Sequence, residues 1–275
     1  MSSRPPLIAI FILGFFVFLT VFGPLIAPFA PDRGSLAAQF VPPFDYDENG
    51  FFHILGTDQF GRDIFSRMIH GTRISVFVAL ISITVAGTVG SIAGMVAGYY
   101  GGIVDTILMR LVDITLSVPI FLIAIVLAAV VGPSTTNVVF AITFLLWPRY
   151  ARQLRGETLA LVRREFVDYS RVIRVSTPLI LARHILPNVV PTLIVLMTWQ
   201  SGYVVLLESS LSFLGAGVPL PSPAWGAMVA EGTKYLTNHW WLPVLPRLAI
   251  VALVLSVNIL GDWLRDRYDP MLTHS

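Results

Sequence analysis

Long uncharged runs limit the fold of this chain more than any other feature of its sequence. Charged residues make up only 12% of the 275 residues, which is about half the fraction usual in soluble domains. A helix that crosses a bilayer needs about 20 mostly apolar residues, and its backbone groups must be hydrogen-bonded within the segment. The pattern therefore predicts an all-α, polytopic membrane protein with six transmembrane helices. The predicted helices cover residues 7–27, 74–99, 103–131, 138–150, 189–207 and 246–264.

The first apolar run is interpreted as a retained transmembrane helix. Residues 5–31 carry no charge after Arg4, and the run is longer than the roughly 7–15 residues of a signal-peptide core. The chain is then organised as follows. The predicted segments are a cytoplasmic N-terminus at 1–6, a first helix at 7–28, an external loop at 29–72, a transmembrane domain with helices two to six at 73–270, a cytoplasmic loop at 151–188 within it, and a cytoplasmic tail at 271–275.

Basic residues indicate the orientation of these helices. With both termini in the cytoplasm, twelve of the 18 basic residues lie in cytoplasmic segments, and eight of them are arginines between positions 149 and 183. A loop of that length is expected to contain short helices. Thr177 and Pro178 resemble an N-cap and first helical position, and Pro187 is expected to separate this helix from the fifth span.

Several polar residues and glycines have local interpretations. Gly87, Gly90, Gly94 and Gly98 indicate close contact between helices. The spacing also predicts ion pairs of Asp63 with Arg67 and of Arg110 with Asp113. Counting about 20 residues from position 189 puts Glu208 at the outer interface, where an ion pair would hold the following bend.

The sequence contains none of the usual catalytic or metal-binding patterns. It has no cysteine and no His-Glu-x-x-His motif, so a metal site is not expected. The absence of a Gly-Lys-Ser/Thr loop and of Gly-x-Ser-x-Gly argues against ATP binding and hydrolase chemistry. No basic cluster is interleaved with aromatics, so no nucleic-acid partner is expected.

Four sequence blocks, in order along the chain, resemble the peptide/nickel branch of ABC importer permeases. The first is Gly-Thr-Asp-Gln-Phe-Gly-Arg-Asp-Ile-Phe-Ser-Arg at 56–67, and the second is the arginine-rich segment 165–188, which resembles the cytoplasmic EAA loop. The third combines Glu-Ser-Ser-Leu-Ser-Phe-Leu-Gly at 208–215 with Pro-Ala-Trp-Gly at 223–226, and the fourth is Gly-Asp-Trp-Leu-Arg-Asp at 261–266 with Asp-Pro at 269–270.

The resemblance implies a role for each block. The residues expected in the ATPase-coupling loop are Glu165, Phe166, Asp168, Tyr169, Ser170, Arg171, Arg174, His184 and Pro187. The residues expected in the outer-face or gate motif are Gly56, Asp58, Gly61, Arg62, Asp63 and Arg67. Those expected in the motif after the fifth helix are Glu208, Ser212, Phe213, Gly215, Trp225 and Gly226.

The loop departs from the family pattern at two places. Arg174 stands where relatives usually have a glycine that permits a turn or a close approach. Asp168 is also followed by Tyr169 and Ser170 rather than by the usual pair of small residues. The resemblance therefore implies docking to an ATPase through this loop, with contacts that differ from the usual ones.

The function implied is that of a type I ABC importer permease subunit in a bacterial inner membrane, carrying di- or oligopeptides or related small solutes. The implied partners are a second, related permease, two cytoplasmic ATPase subunits, an external substrate-binding protein and membrane lipid. The chain itself would bind no cofactor, because ATP and Mg²⁺ belong to the ATPase subunits. The alternatives are a secondary transporter or channel, an intramembrane enzyme, and a non-transporting membrane scaffold.

Overall fold

In a computed structural model, residues 5–219 and 221–268 are described, and most of them are helical. The helices are α1 (Leu7–Ile26), α2 (Ile64–Tyr100), α3 (Gly102–Ser117), α4 (Ile120–Val130), α5 (Thr135–Leu161), α6 (Glu165–Val172), α7 (Thr177–Ile180), α8 (Leu186–Phe213), α9 (Trp225–Thr233) and α10 (Trp241–Tyr268). Two short antiparallel strands, β1 (Asp45–Tyr46) and β2 (Phe52–His53), pair in the loop before α2. The predicted all-α class is confirmed.

The number of spans is less definite than the fold class. Within the described residues, four helical stretches are long and apolar enough to cross a membrane: Leu7–Ile26, Ile64–Tyr100, Thr177–Phe213 and Trp241–Arg267. The pair α3 and α4 adds a fifth if the two helices form one span. Helix α5 has 27 residues, but its second half is rich in charge. Six spans therefore remains a prediction.

The predicted continuous helix 103–131 is wrong, because it breaks at Val118 and Pro119. These two residues have extended backbone, with ψ of 126° and 127°, and α3 and α4 meet at an angle of 77°. A proline clashes with the helical conformation of the residue before it, so a helix tends to end there. The ring of Pro119 thus explains the bend.

Close contact between helices at the α2 glycines is confirmed: Gly90, Gly94 and Gly98 pack against α5, and Gly87 packs against Met197 of α8. A Cβ atom on Gly94 would lie 2.9 Å from the backbone nitrogen of Arg155, and one on Gly98 would lie 2.8 Å from the Cβ of Thr158. Gly90 similarly faces the carbonyl of Trp147. Helix α5 continues this contact beyond its predicted end at position 150, since residues 151–161 contain no proline and pack on α2.

The central bundle is formed by α2, α5, α8 and α10. Helix α1 packs on α2 and α10, while α9 lies against α8 and α10. The main core includes Val78, Ile142, Leu146, Val204 and Leu211, all buried. A second, separate cluster lies at the end of the bundle where α2 terminates, and it joins Met95, Leu154, Val167, Ile180, Ile185 and Val189.

Pro187 does not separate the loop from the fifth predicted span. Helix α7 passes into a π-helical turn, Leu181–Ile185, which continues directly into α8. The amide of Leu186 donates to the carbonyl of Leu181, five residues back. The wider turn accommodates Pro187, which has no N–H to donate and would clash with the carbonyl four residues earlier in an α-helix. Ser176, rather than Thr177, is the N-cap of α7.

Candidate functional site

Helix α6 presents two different faces. Val167 and Ser170 are buried against the second cluster, while Phe166, Tyr169 and Val172 are exposed by 39%, 67% and 79%. Because residues three or four apart share a face of a helix, the exposed residues form one surface. We define the α6 outer face as Phe166, Tyr169, Val172 and Ile173. This solvent-exposed apolar and aromatic surface is suited to contact with another protein.

Charges at the ends of α6 stabilise the helix. Glu165 and Asp168 lie in its first turn and Arg171 in its last turn, which is the favourable arrangement for the helix dipole. The guanidinium of Arg171 lies 5.0 Å from the ring centroid of Tyr99 at the end of α2, and one of its nitrogens lies 3.3 Å from Asp168. Arg171 is therefore held against its own chain.

Arg174 occupies the turn that ends α6. Its φ is 57°, in the left-handed region, its amide donates to the carbonyl of Arg171, and the amide of Val175 donates to the carbonyl of Ser170, each at 3.0 Å. These two bonds form a Schellman motif, in which glycine is the usual residue at the left-handed position. Arg174 thus adopts the conformation that usually suits glycine, the residue that relatives have at this position.

The remaining predicted residues of the loop follow α6. The rings of His184 and Phe166 lie 6.4 Å apart, so the π-helical turn packs beside α6. Pro187 is exposed at the start of α8, whereas Val175 is partly buried against the second cluster. The loop is thus one packed unit that projects from the ends of α5 and α8.

The motif at 56–67 is a compact turn leading into α2. Gly56 and Gly61 have φ of 78° and 68°, and Gly56 approaches the backbone of Val41. Asp63 caps α2 by accepting from the amide of Ser66 at 2.8 Å, and it also bonds His53 at 2.8 Å. The predicted pair of Asp63 with Arg67 is wrong, because the N-cap position turns Asp63 towards the helix terminus.

Arg67 belongs to a buried charge cluster, which we define as Asp58, Arg62, Arg67 and Glu231. Arg62 contacts Asp58 at 2.7 Å and Glu231 at 3.2 Å. Arg67 contacts the same two carboxylates, with 3.2 Å to Glu231. The cluster joins the start of α2 to α9, and its charges balance, as buried charges require. Sequence spacing could not reveal Glu231, which lies 164 positions after Arg67.

Glu208 is fully buried, so its predicted place in an interfacial ion pair is wrong. Its carboxyl group accepts from Ser75 of α2 at 3.0 Å and from Ser212 at 2.8 Å. Helix α8 extends to Phe213, beyond the predicted end at 207, and packing on α2 and α9 covers this turn. Glu208 thus links α2 to the end of α8 through hydrogen bonds to neutral groups.

The rest of the motif after α8 forms a tight corner. Gly215, with φ of 77°, ends α8 in a second Schellman motif, in which its amide donates to Ser212 and that of Ala216 to Leu211. The buried Trp225 donates from Nε1 to the carbonyl of Met68 at 3.0 Å. Gly226 packs against the backbone of Ser209, whereas Phe213 is 47% exposed.

Two arginines of α5 hold α3 in place. Asp113 pairs with Arg152 at 2.7 Å, so the predicted pair with Arg110 is wrong. The carboxylate of Asp105 accepts two hydrogen bonds from the guanidinium of Arg155, and the one from Nη2 to Oδ2 measures 2.6 Å. The packing of α3 on α5 decides these partners, because it brings opposite charges together across the helices.

In the described part of the chain, no group of three or more His, Asp or Glu is placed to hold a metal ion. Asp269 and Pro270, expected in the last motif, lie outside the described residues.

Comparison with known proteins identifies the family. The model of the family described as "Binding-protein-dependent transport system inner membrane component" matches residues 90–274. The chain belongs to this family. A putative peptide transport system permease protein of Brucella suis is 37% identical over 99% of this chain and 90% of its own length. The dipeptide transport system permease protein DppC of Haemophilus influenzae is also 37% identical, over 98% of this chain and 92% of its own length.

The fold agrees with the family. A solved structure of the MetNI methionine ABC transporter in an inward-facing conformation matches with a TM-score of 0.60 and 17% identity, covering 74% of this chain and 96% of that one. As a binding-protein-dependent inner membrane component, the chain is a transmembrane permease subunit of an ABC importer. It is not an enzyme, because ATP hydrolysis belongs to separate subunits of the membrane-embedded complex.

Proposed function

We propose that this permease subunit carries short peptides across the bacterial inner membrane. The support comes from the two relatives described above, whose names state peptide and dipeptide transport and which align over nearly the whole chain. Both ends of the chain would lie in the cytoplasm, in keeping with the excess of arginine in the loop at 151–188. The subunit would form half of the translocation pathway, with a second, related permease supplying the other half.

The observation that carries the coupling role is the division of α6 into a buried and an exposed face. Val167 anchors the helix to a cluster that includes Met95 of α2, Leu154 of α5 and Val189 of α8. A displacement of α6 would therefore be transmitted to three helices of the bundle. The α6 outer face would insert into a groove of an ATPase subunit. Each of the two permeases would contact one ATPase subunit in this way.

The outer side of the subunit would receive the substrate-binding protein. The buried charge cluster fixes the loop before α2 to α9, so this side offers a rigid surface formed by two distant parts of the chain. The binding protein and ATP would each favour one conformation of the transporter by their difference in affinity for the two states. Alternating access would follow from this difference, with no chemistry in the permease itself.

Reconstitution of the whole complex tests the proposal. The full chain, its partner permease, the ATPase subunits and the binding protein are placed in proteoliposomes with alanine peptides of two to five residues outside. We expect peptide accumulation that requires both ATP and the binding protein. Accumulation without ATPase subunits would instead support a secondary transporter, and the absence of any peptide uptake by an assembled, ATP-hydrolysing complex would contradict peptide transport.

A further inference from the structure

Arg149 of α5 makes an unusual contact with α8. Its guanidinium carbon lies 4.6 Å from the ring centroid of Tyr203. Its two terminal nitrogens lie 3.4 Å from the Tyr203 hydroxyl and 3.4 Å from Oε1 of Gln200. These neutral groups orient the guanidinium, and they leave most of its hydrogen-bond donors free because an arginine has five.

The contact lies deep within the span. Gln200 and Tyr203 are interior residues of α8, which runs from Leu186 to Phe213. At about 1.5 Å per residue, Tyr203 is about 15 Å from the Phe213 end and about 25 Å from the Leu186 end. A hydrocarbon core is about 30 Å thick, so we place the guanidinium within it, where charge is costly, rather than in the cytoplasmic segment to which the count of basic residues assigned it.

Arg149 also differs from the other arginines of α5. Arg152 pairs with Asp113 and Arg155 with Asp105. In the part of the chain that the structure describes, no carboxylate lies within ion-pair distance of Arg149. Arg149 is also exposed. An exposed charge at membrane depth is expected to face a bundle interior or a water-filled path rather than lipid. The face that carries Arg149 is therefore assigned to the translocation pathway.

We propose that Arg149, held by Tyr203 and Gln200, binds the C-terminal carboxylate of a peptide in transit. This inference rests on the proposed peptide transport. The planar guanidinium can bind a carboxylate through two parallel hydrogen bonds, and stacking on Tyr203 keeps its plane in one orientation. Every peptide with a free C-terminus has this carboxylate whatever its side chains, so such a subsite accepts peptides of varied sequence.

Binding to the permease without the binding protein tests this subsite. The complex of both permeases and the ATPase subunits is placed in nanodiscs without nucleotide. It is then offered alanine peptides of two to five residues as free acids and as C-terminal amides, in competition. We expect the natural complex to retain the free acids about tenfold over the amides, the effect of one charge-assisted contact. Arg149→Gln should bring the ratio close to one.

Two further variants make the result specific. Arg149→Lys keeps the charge without the planar fork and should leave a ratio above one but below that of the natural complex. Arg152→Gln, one turn along α5, is the matched control and should leave the ratio unchanged, because Arg152 is paired with Asp113. If Arg149→Gln does not assemble, Arg149→Lys decides the question alone.

An unchanged ratio in the Arg149 variants would overturn the subsite. Equal retention of acids and amides by the natural complex would do the same. A third outcome combines two results: the Arg149→Gln complex does not assemble, and the Arg149→Lys complex keeps the acid-to-amide ratio of the natural complex. This would mean that Arg149 pairs with an acidic group of the second permease, which also contradicts the proposal. ATP-driven uptake of the same peptides by the natural complex tests peptide transport separately, so the two failures can be told apart.

Discussion

At the scale of single residues, the two helix-ending turns illustrate what a side chain costs in a given backbone conformation. Both α6 and α8 end in a Schellman motif, with Arg174 at φ 57° in one and Gly215 at φ 77° in the other. The left-handed conformation costs an L-residue about 1–2 kcal/mol, while glycine loses about 0.5–1 kcal/mol more backbone entropy on folding. Glycine is therefore favoured at such a turn by a net amount of about 0.5–1 kcal/mol.

Arg174→Gly should stabilise the end of α6. We expect hydrogen exchange of the amides of Arg174 and Val175, which bond back to α6, to slow about two- to fivefold, the equivalent of about 0.5–1 kcal/mol. Arg174→Ala is the control, because it removes the charge but keeps the Cβ atom, and it should leave the exchange rates close to those of the natural chain. Faster exchange in Arg174→Gly would show that arginine makes a stabilising contact at this turn.

Residue-level predictions from sequence succeeded where the chemistry is local. The contact role of the α2 glycines follows from their spacing. The predicted partners of Asp113 and Glu208 were wrong, since each depends on which other helix lies opposite. The predicted partner of Asp63 was wrong because Asp63 caps α2. Glu231 reaches the arginines of its cluster only after α9 has packed. Arg152 reaches Asp113 only after α5 has packed.

At the scale of elements, close packing of α2 on α5 positions the end of the bundle that carries α6. The two helices are in contact from Gly90 to Gly98, and α5 leads directly to α6. Their apolar runs were readable from the sequence. The break at Pro119 and the π-helical turn before Pro187 were not predicted, because a hydropathy pattern contains no information on the backbone geometry that proline imposes.

Gly94→Leu should disrupt this helix pair. Its side chain would overlap the backbone of Ala151 and Arg155, which cannot move without shifting α5. The loss of stability should be no smaller than that of typical overpacking, which is about 1–3 kcal/mol. Gly156→Leu is the matched control on α5, because a Cβ atom there meets nothing within 4 Å. Size-exclusion profiles of the fluorescently tagged permease complex should show loss of the assembled peak for the first variant only; equal yields would contradict close packing at Gly94.

At the scale of the whole molecule, the fold connects two distant surfaces through one bundle. The buried charge cluster between α2 and α9 fixes one end of the bundle, and the other end carries α6 on a cluster shared by α2, α5 and α8. The fold class could be predicted from the long uncharged runs, and the family function from the order of four sequence blocks. The division of α6 into two faces required the packed structure, since Val167 and Phe166 are adjacent apolar residues that sequence alone does not distinguish.

Photo-crosslinking tests the coupling role of α6 most directly. A photoreactive benzoylphenylalanine replaces either Tyr169 on the α6 outer face or Tyr46 in β1 of the loop before α2, two tyrosines with similar exposures of 67% and 64%. In the assembled transporter, we expect the probe at position 169 to form a covalent product with the ATPase subunit and the probe at position 46 to form none with it. An ATPase product from position 46 instead of 169, or none from position 169 in a complex that retains its ATPase subunits, would contradict the account.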